Sequence, residues 1–236
     1  MGSNARAAAV MVAISASALM AAAPAGASRA DCAAAARGGR VIEEGHRGLV
    51  YVRGARAFSC SYPGGRVNRL PGQGRRTIRV NGHDVTGRWV VDQKWVRMAA
   101  RYVAYGLHFT ETRRFGRPYQ TARVVVFDVP FGTTHYSSGP SDAVDPFVDG
   151  LVVKPDGSVA WMYAAGRGAI EPYHLVVKMD RASGGAERGL DGDDAHVHGY
   201  RIHRGSLALS TDGRHVYWTA SMDGDPEPHH LRARLR

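Results

Sequence analysis

Short runs of Val, Ile, Tyr, Trp and Phe recur along this chain, and Gly, Pro, Asp or Asn breaks them about every 8–12 residues. That spacing predicts strands. Residues 48–53 and 56–62 flank a small turn at Gly54, and Pro63-Gly64-Gly65 makes the next turn. Residues 77–80 run into Asn81-Gly82, the strongest short hairpin signal in the chain, and 89–92 follow. Amphipathic helical periodicity is lacking; the only expected helix is a single turn at 33–36.

One phrase repeats. Val159-Ala160-Trp161 and Val216-Tyr217-Trp218 each follow an Asp-Gly turn, and Val103-Ala104-Tyr105 is a worn copy. The aromatic ends lie 56 and 57 residues apart, a period that predicts a stacked or radial array of similar units. Unit one holds strands at 94–105 and 122–128. Unit two holds 148–154, 158–163 and 173–180, and unit three holds 206–210, 214–220 and 229–235. The strands at 159–162 and 216–220 read as apolar on both faces, which requires cover on both sides and therefore sheets stacked on sheets.

Ser206-Leu207-Ala208-Leu209-Ser210-Thr211-Asp212-Gly213-Arg214-His215-Val216-Tyr217-Trp218 resembles the blade repeat of TolB-like and WD40-like β-propellers. Residues 151–161 read as a second copy. The resemblance implies an all-β fold: a small or incomplete β-propeller-like array of antiparallel sheets, with a two-sheet β-sandwich as the alternative. The Asp-Gly pair serves the turn and carries no chemistry, so the likeness leaves function open. A closed ring would need the N-terminal strand to complete the last blade.

Composition adds a compartment. Residues 1–27 read as a secretory signal cleaved after Ala27, with Ala25-Gly26-Ala27 as the small-x-small site. Cleavage leaves 209 of the 236 residues, enough for one domain with its own core. Within 28–236, residues 28–92 form an N-terminal disulfide-containing unit and 93–236 the three repeats. Cys32 and Cys60, the only two cysteines, are expected to be bonded in an exported protein. The mature chain holds no apolar stretch long enough to span a bilayer.

The net charge is +10, with 31 Lys and Arg against 21 Asp and Glu, and only Lys94, Lys154 and Lys178 are lysines. The arginine bias accompanies abundant Ala, Gly and Val, as GC-rich codons give. The charge favours anionic surfaces. The dense spots Arg75-Arg76, Arg113-Arg114 and 232–236 read as solvated surface.

Candidate chemistry is sparse. Asp191, Asp193 and Asp194 precede His196 and His198, with His203 nearby; His-x-His on a strand puts two imidazoles on one face. No cofactor is expected; a metal, where one binds, is zinc at the histidines or calcium at the aspartates. Asp223, Asp225, Glu227, His229 and His230 form a second group, read as turn chemistry, and Asp142, Asp145 and Asp149 a third. Ser206 beside His203 reads as a strand start. Gly-x-Ser-x-Gly and His-Glu-x-x-His motifs do not occur. Trp89 and Trp95, with Tyr102 and Tyr105, are a candidate stacking platform, and Arg113 and Arg114 candidate binding residues. The expected function is a secreted, non-catalytic binding scaffold for a protein or an anionic cell-envelope polymer, with nucleic acid not expected as a partner. Loops 110–120 and 132–146 are the expected contact surface. The alternative is a secreted hydrolase or metal-dependent enzyme using residues 191–203.

Overall fold

The computed structural model describes residues 25–80, 82–112, 118–138, 146–165, 173–180, 186–192, 200–222, 225 and 227–236. The fold is all-β, built from four antiparallel sheets in chain order behind one helix, α1 (Ala25–Ala36).

The first sheet runs β1 (Arg40–Gly45), β2 (Gly48–Arg53), β3 (Arg56–Ser61) and β4 (Val67–Arg69). The second is five-stranded: β5 (Gly74–Val80), β6 (His83–Ala99), β7 (Tyr102–Glu111), β8 (Gln120–Asp128) and β9 (Thr133–Ser137). Its long strand β6 slips register between Val91 and Val96, so four residues of β6 oppose Gly106 alone. Such a bulge bends a strand and sharpens its twist. Position 92/93, where the sequence reading divides the chain, falls inside this bulge.

The third sheet comprises β10 (Phe147–Val153), β11 (Val159–Ala165), β12 (Tyr173–Met179) and β13 (Glu187–Gly192). In the fourth, β14 (Tyr200–Ile202) and β15 (Ala208–Leu209) flank one side of β16 (His215–Met222), and β17 (His229–Arg234) flanks the other. Tyr105, Trp161 and Trp218 thus fall on interior strands of three successive sheets, β7, β11 and β16.

The two Asp-Gly turns are built alike. Gly157 and Gly213 take φ of 90° and 67°, the left-handed region glycine enters freely. Asp156 and Asp212 each accept a backbone N–H two residues on, from Ser158 and Arg214, both at 2.9 Å. The worn copy forces a non-glycine into the same geometry: Ala100 has φ 50°.

Four apolar clusters set the stacking order. Cys32, Ala36, Leu49, Tyr51, Cys60 and Tyr62 join α1 to the first sheet. Val50 and Ala57 meet Tyr105, Leu107, Phe109 and Phe127 between the first and second. Tyr102, Val124 and Val126 meet Trp161, Tyr163 and Leu151 between the second and third. Ala160, Met162 and Val176 meet Val216, Trp218 and Leu235 between the third and fourth. Gly106 lets the third sheet approach the second: a Cβ there would lie 3.1 Å from Val148.

Three expectations need correction. The helix is three turns long rather than one, because its alanine-rich sequence favours helix and its inner face docks on the first sheet. The strand at 216–220 is covered on one side only: Val216, Trp218 and Ala220 share the buried face, while Tyr217 and Thr219, half-buried, alternate with them. Among the described residues the N-terminal strand does not complete the last sheet; β1 pairs with β2, and the strands paired in the fourth sheet are β14 to β17. Among the described residues the array is thus an open stack, capped by α1 at one end and by an alternating sheet at the other.

The expected disulfide is present. Cys32 of α1 and Cys60 of β3 are bonded with a Cα–Cα distance of 5.5 Å. Tyr62 donates to Glu44 at 2.5 Å, and Arg29 pairs with the same carboxylate. Burial first, then that hydrogen bond, pushes the Tyr62 phenol up to about 12.

A candidate anion cleft between the first and second sheets

Where the first sheet ends beside the β5–β6 hairpin, a cleft of about 660 Å³ opens. Six arginines line it: Arg53, Arg56, Arg69, Arg75, Arg76 and Arg88. Gln73, Trp89 and the small residues Gly54, Ala55 and Gly74 complete the wall, and none of the lining residues is acidic.

Local structure dictates each placement. Arg53 and Arg56 flank the tight turn at Gly54-Ala55 and stand directly opposite each other across β2 and β3. Val80 opposite His83 closes β5 and β6 with a two-residue turn, which sets Arg75 opposite Arg88. Gln73 is 7% exposed and works as a buried clasp. Its amide accepts from the Ala57 N–H at 2.8 Å and donates to the Ala57 and Leu70 carbonyls at 2.9 and 2.7 Å. The strand that carries Arg56 is thereby fastened to the segment that enters β5.

The charges differ in how they are held. Arg53 donates to the carbonyls of Ala35 and, at 2.9 Å, Arg37, at the negative end of the α1 dipole. Arg69 donates to the Gln73 carbonyl at 3.3 Å. Arg56, Arg75, Arg76 and Arg88 make no side-chain hydrogen bond or ion pair with any described residue. Glu111 shares a sheet row with Arg76, two strands away across Gly87, and accepts from the Tyr119 N–H. Beside the cleft, the Arg123 guanidinium lies 4.5 Å from the Trp89 ring centroid. Burial pulls it below the usual arginine range, and the charge of Arg76 acts in the same direction. Like charges directly opposite on a sheet destabilise it, so this arrangement is one that an anion would relieve.

Of the residues singled out in the sequence, Trp89 lines the cleft, 3% exposed and packed on Phe109. Trp95 does not join it. It lies in the seam between the second and third sheets, beneath Lys94 and Arg97. Tyr102 and Tyr105 are buried in two different seams, so the four aromatics do not form one stacking platform. Arg113 and Arg114 lie outside the described residues, as do Asp193, Asp194, His196 and His198. Asp191 is described only as a backbone partner of Val176 in β13.

Asp142, Asp145 and Asp223 also lie outside the described residues, and the remaining described candidates have structural roles. Ser206 donates to the His203 carbonyl at 2.7 Å and accepts from the Thr219 N–H at 3.1 Å, which pins a turn. His229 pairs with Asp225 at 3.0 Å on the surface. Asp149, 3% exposed, is gripped by both ends of the Arg204 fork at 2.9 and 3.2 Å. Among the described residues no group of three His, Cys, Asp or Glu is placed to hold a metal ion. The same residues contain no helix long and apolar enough to cross a membrane.

The arginine cleft itself is new relative to the sequence reading, although Arg75-Arg76 stood out as a dense spot. No protein-family model matches this chain, and no curated protein matches it either.

Proposed function

We propose that this protein is an exported, non-catalytic binding scaffold that recognises an anionic cell-envelope polymer through the cleft between its first and second sheets. The observation that carries the reading is the set of four cleft arginines without a partner among the described residues, in a cleft whose lining holds no carboxylate. An unpaired cluster of this kind concentrates positive potential and attracts polyanions. The disulfide is compatible with an oxidising compartment outside the cell. The kinship to TolB-like and WD40-like repeats belongs to the same proposal; it supplies a scaffold of stacked hairpin sheets and no chemistry.

The test is retention of the full chain on immobilised envelope polymer. Retention is expected at low salt and is expected to fall as salt rises. A triple variant, Arg75→Gln with Arg76→Gln and Arg88→Gln, should lose it. Three matched changes on exposed arginines elsewhere, Arg47→Gln, Arg214→Gln and Arg232→Gln, should keep it. Equal loss in both triples would reduce the effect to net charge and overturn the assignment of the cleft.

A further inference from the structure

Strand alternation sorts the cleft arginines by face. Tyr51 and Phe58 face α1, so Arg53 and Arg56, two residues away along β2 and β3, lie on that same face of the first sheet. Val85 and Trp89 of β6 face the seam with the first sheet, so Arg88 lies on the opposite face, together with its partner Arg75. Both are exposed. Arg75 and Arg88 therefore act as a pair by themselves, on an open face of the second sheet.

This pair begins a row that crosses the sheet. Arg88 opposes Thr110 on β7, and Thr110 opposes Gln120 on β8. Neighbouring strands lie about 4.8 Å apart, so the row from Arg75 to Gln120 spans roughly 14 Å. The adjacent rows on this face are Thr77–Thr86 and Val90–His108–Ala122. These three rows hold no carboxylate. The third sheet covers the face as far as Ala122, which is 1% exposed, whereas Val90 is 40% exposed. The row of arginines lies just past that cover.

Its two ends differ in chemistry. At β5 and β6, two guanidinium groups offer donors and positive charge only. At β7 and β8, the Thr110 hydroxyl and the Gln120 amide can each donate and accept. Neither side chain makes a hydrogen bond with a described residue. A polymer charged at every unit engages the arginines and leaves Thr110 and Gln120 unused. A chain of hydroxyl-bearing units with an acidic group at intervals satisfies both ends at once.

We infer that the row Arg75–Arg88–Thr110–Gln120 binds an acidic polysaccharide laid across the strands, with its acidic group held by the two arginines and hydroxyls of neighbouring sugars held by Thr110 and Gln120. This rests on the binding-scaffold reading and names its ligand class.

Isothermal titration of the full chain tests it with three probes: a hyaluronan oligosaccharide, long-chain polyphosphate and neutral dextran. Hyaluronan and polyphosphate are expected to bind and dextran not to. Raising the salt should weaken polyphosphate more, because its binding is charge alone. Arg75→Gln/Arg88→Gln should lose about tenfold on both charged probes. Thr110→Val/Gln120→Met should lose about fivefold on hyaluronan while keeping its polyphosphate affinity, which also shows that the sheet is intact. Hyaluronan affinity unmoved by that second variant, or lowered no more than polyphosphate affinity, overturns the row. Dextran binding as tight as hyaluronan overturns it too. Polyphosphate bound without hyaluronan overturns the polysaccharide assignment and leaves the scaffold reading standing. Failure of both charged probes removes the scaffold reading itself.

Discussion

The molecule has two basic seams, and they use their charges in opposite ways. Between the third and fourth sheets, Lys154 donates to the Leu235 carbonyl at 2.9 Å and pairs with Asp156 at 3.3 Å. Lys178 donates to the Arg234 carbonyl at 2.6 Å and pairs with Asp180 at 2.7 Å. Ser158 donates to the Arg236 carbonyl at 2.6 Å, and the Arg236 N–H donates to Asp180 at 2.7 Å. Every cation named there is satisfied from within, and the result is a clamp on the last strand. Between the first and second sheets, four arginines have no such partner among the described residues. The residue types fit the roles. A compact ammonium serves several carbonyls meeting at one point, whereas a planar fork is suited to an incoming oxyanion. Positive charge alone does not mark a site; positive charge left unpaired does.

The comparison can be broken at the clamp first. Lys178→Met strips two bonds and takes the ammonium from the Asp180 carboxylate, whose side chain is 12% exposed and which keeps the Arg236 N–H. A loss of about 3 kcal/mol is expected in urea unfolding, and adding Asp180→Asn should recover part of it. No loss would mean the lysines are ordinary surface charges. Next comes Gln73→Ala, which leaves the Ala57 N–H buried and unpaired. It should cost about 2 kcal/mol and also weaken polyanion binding, since the clasp sets the cleft.

A pH series sharpens the contrast further. Burial pushes the Tyr163 phenol, between the second and third sheets, up to about 12, matching Tyr62 at the α1 end. Both folded values lie above the unfolded value near 10. Their stabilisation is therefore complete below about pH 10 and is lost as pH rises through about 12. Burial raises Tyr105 and Tyr136 as well, so phenolate absorbance should show at least four late-titrating tyrosines, and Tyr62→Phe with Tyr163→Phe should lessen the alkaline fall in stability; an unchanged fall would contradict this. The smallest expected effect is the most pointed. Arg75→Gln/Arg88→Gln removes a like-charge pair, so stability should hold or rise by about 0.5 kcal/mol even as ligand binding is lost. A loss above about 1 kcal/mol would show that these arginines hold the fold instead.

Much of this architecture was legible in the sequence. The Asp-Gly turns, the Trp161 and Trp218 strands and the disulfide all follow from local rules: a left-handed turn position, a two-residue period and a lone pair of cysteines. Stacking order followed wherever a strand is apolar on both faces, as at 159–162. It failed at 216–220, where Val216, Trp218 and Ala220 are one face counted as two, and so an end layer was mistaken for an inner one. The expected contact loops gave partial information: 133–137 is strand β9, and the centres of both loops lie outside the described residues.

The cleft was half legible. Asn81-Gly82 fixes the hairpin register, and that register puts Arg75 opposite Arg88; the like-charge pair could have been counted from the turn. Gly54-Ala55 gives Arg53 and Arg56 in the same way. What no local rule supplies is that the two hairpins face one cleft. That depends on Gln73 reaching back to Ala57, a long-range contact without a sequence signature.

The most direct test of the unpaired-charge account is the salt dependence of polyphosphate affinity in the wild-type chain, in Arg75→Gln/Arg88→Gln and in Arg214→Gln/Arg232→Gln. Each engaged arginine releases a counterion, so the cleft variant should show a shallower slope, by roughly two unit charges, beside weaker binding. The surface variant should reproduce the wild-type slope. Identical slopes in all three proteins would contradict the account.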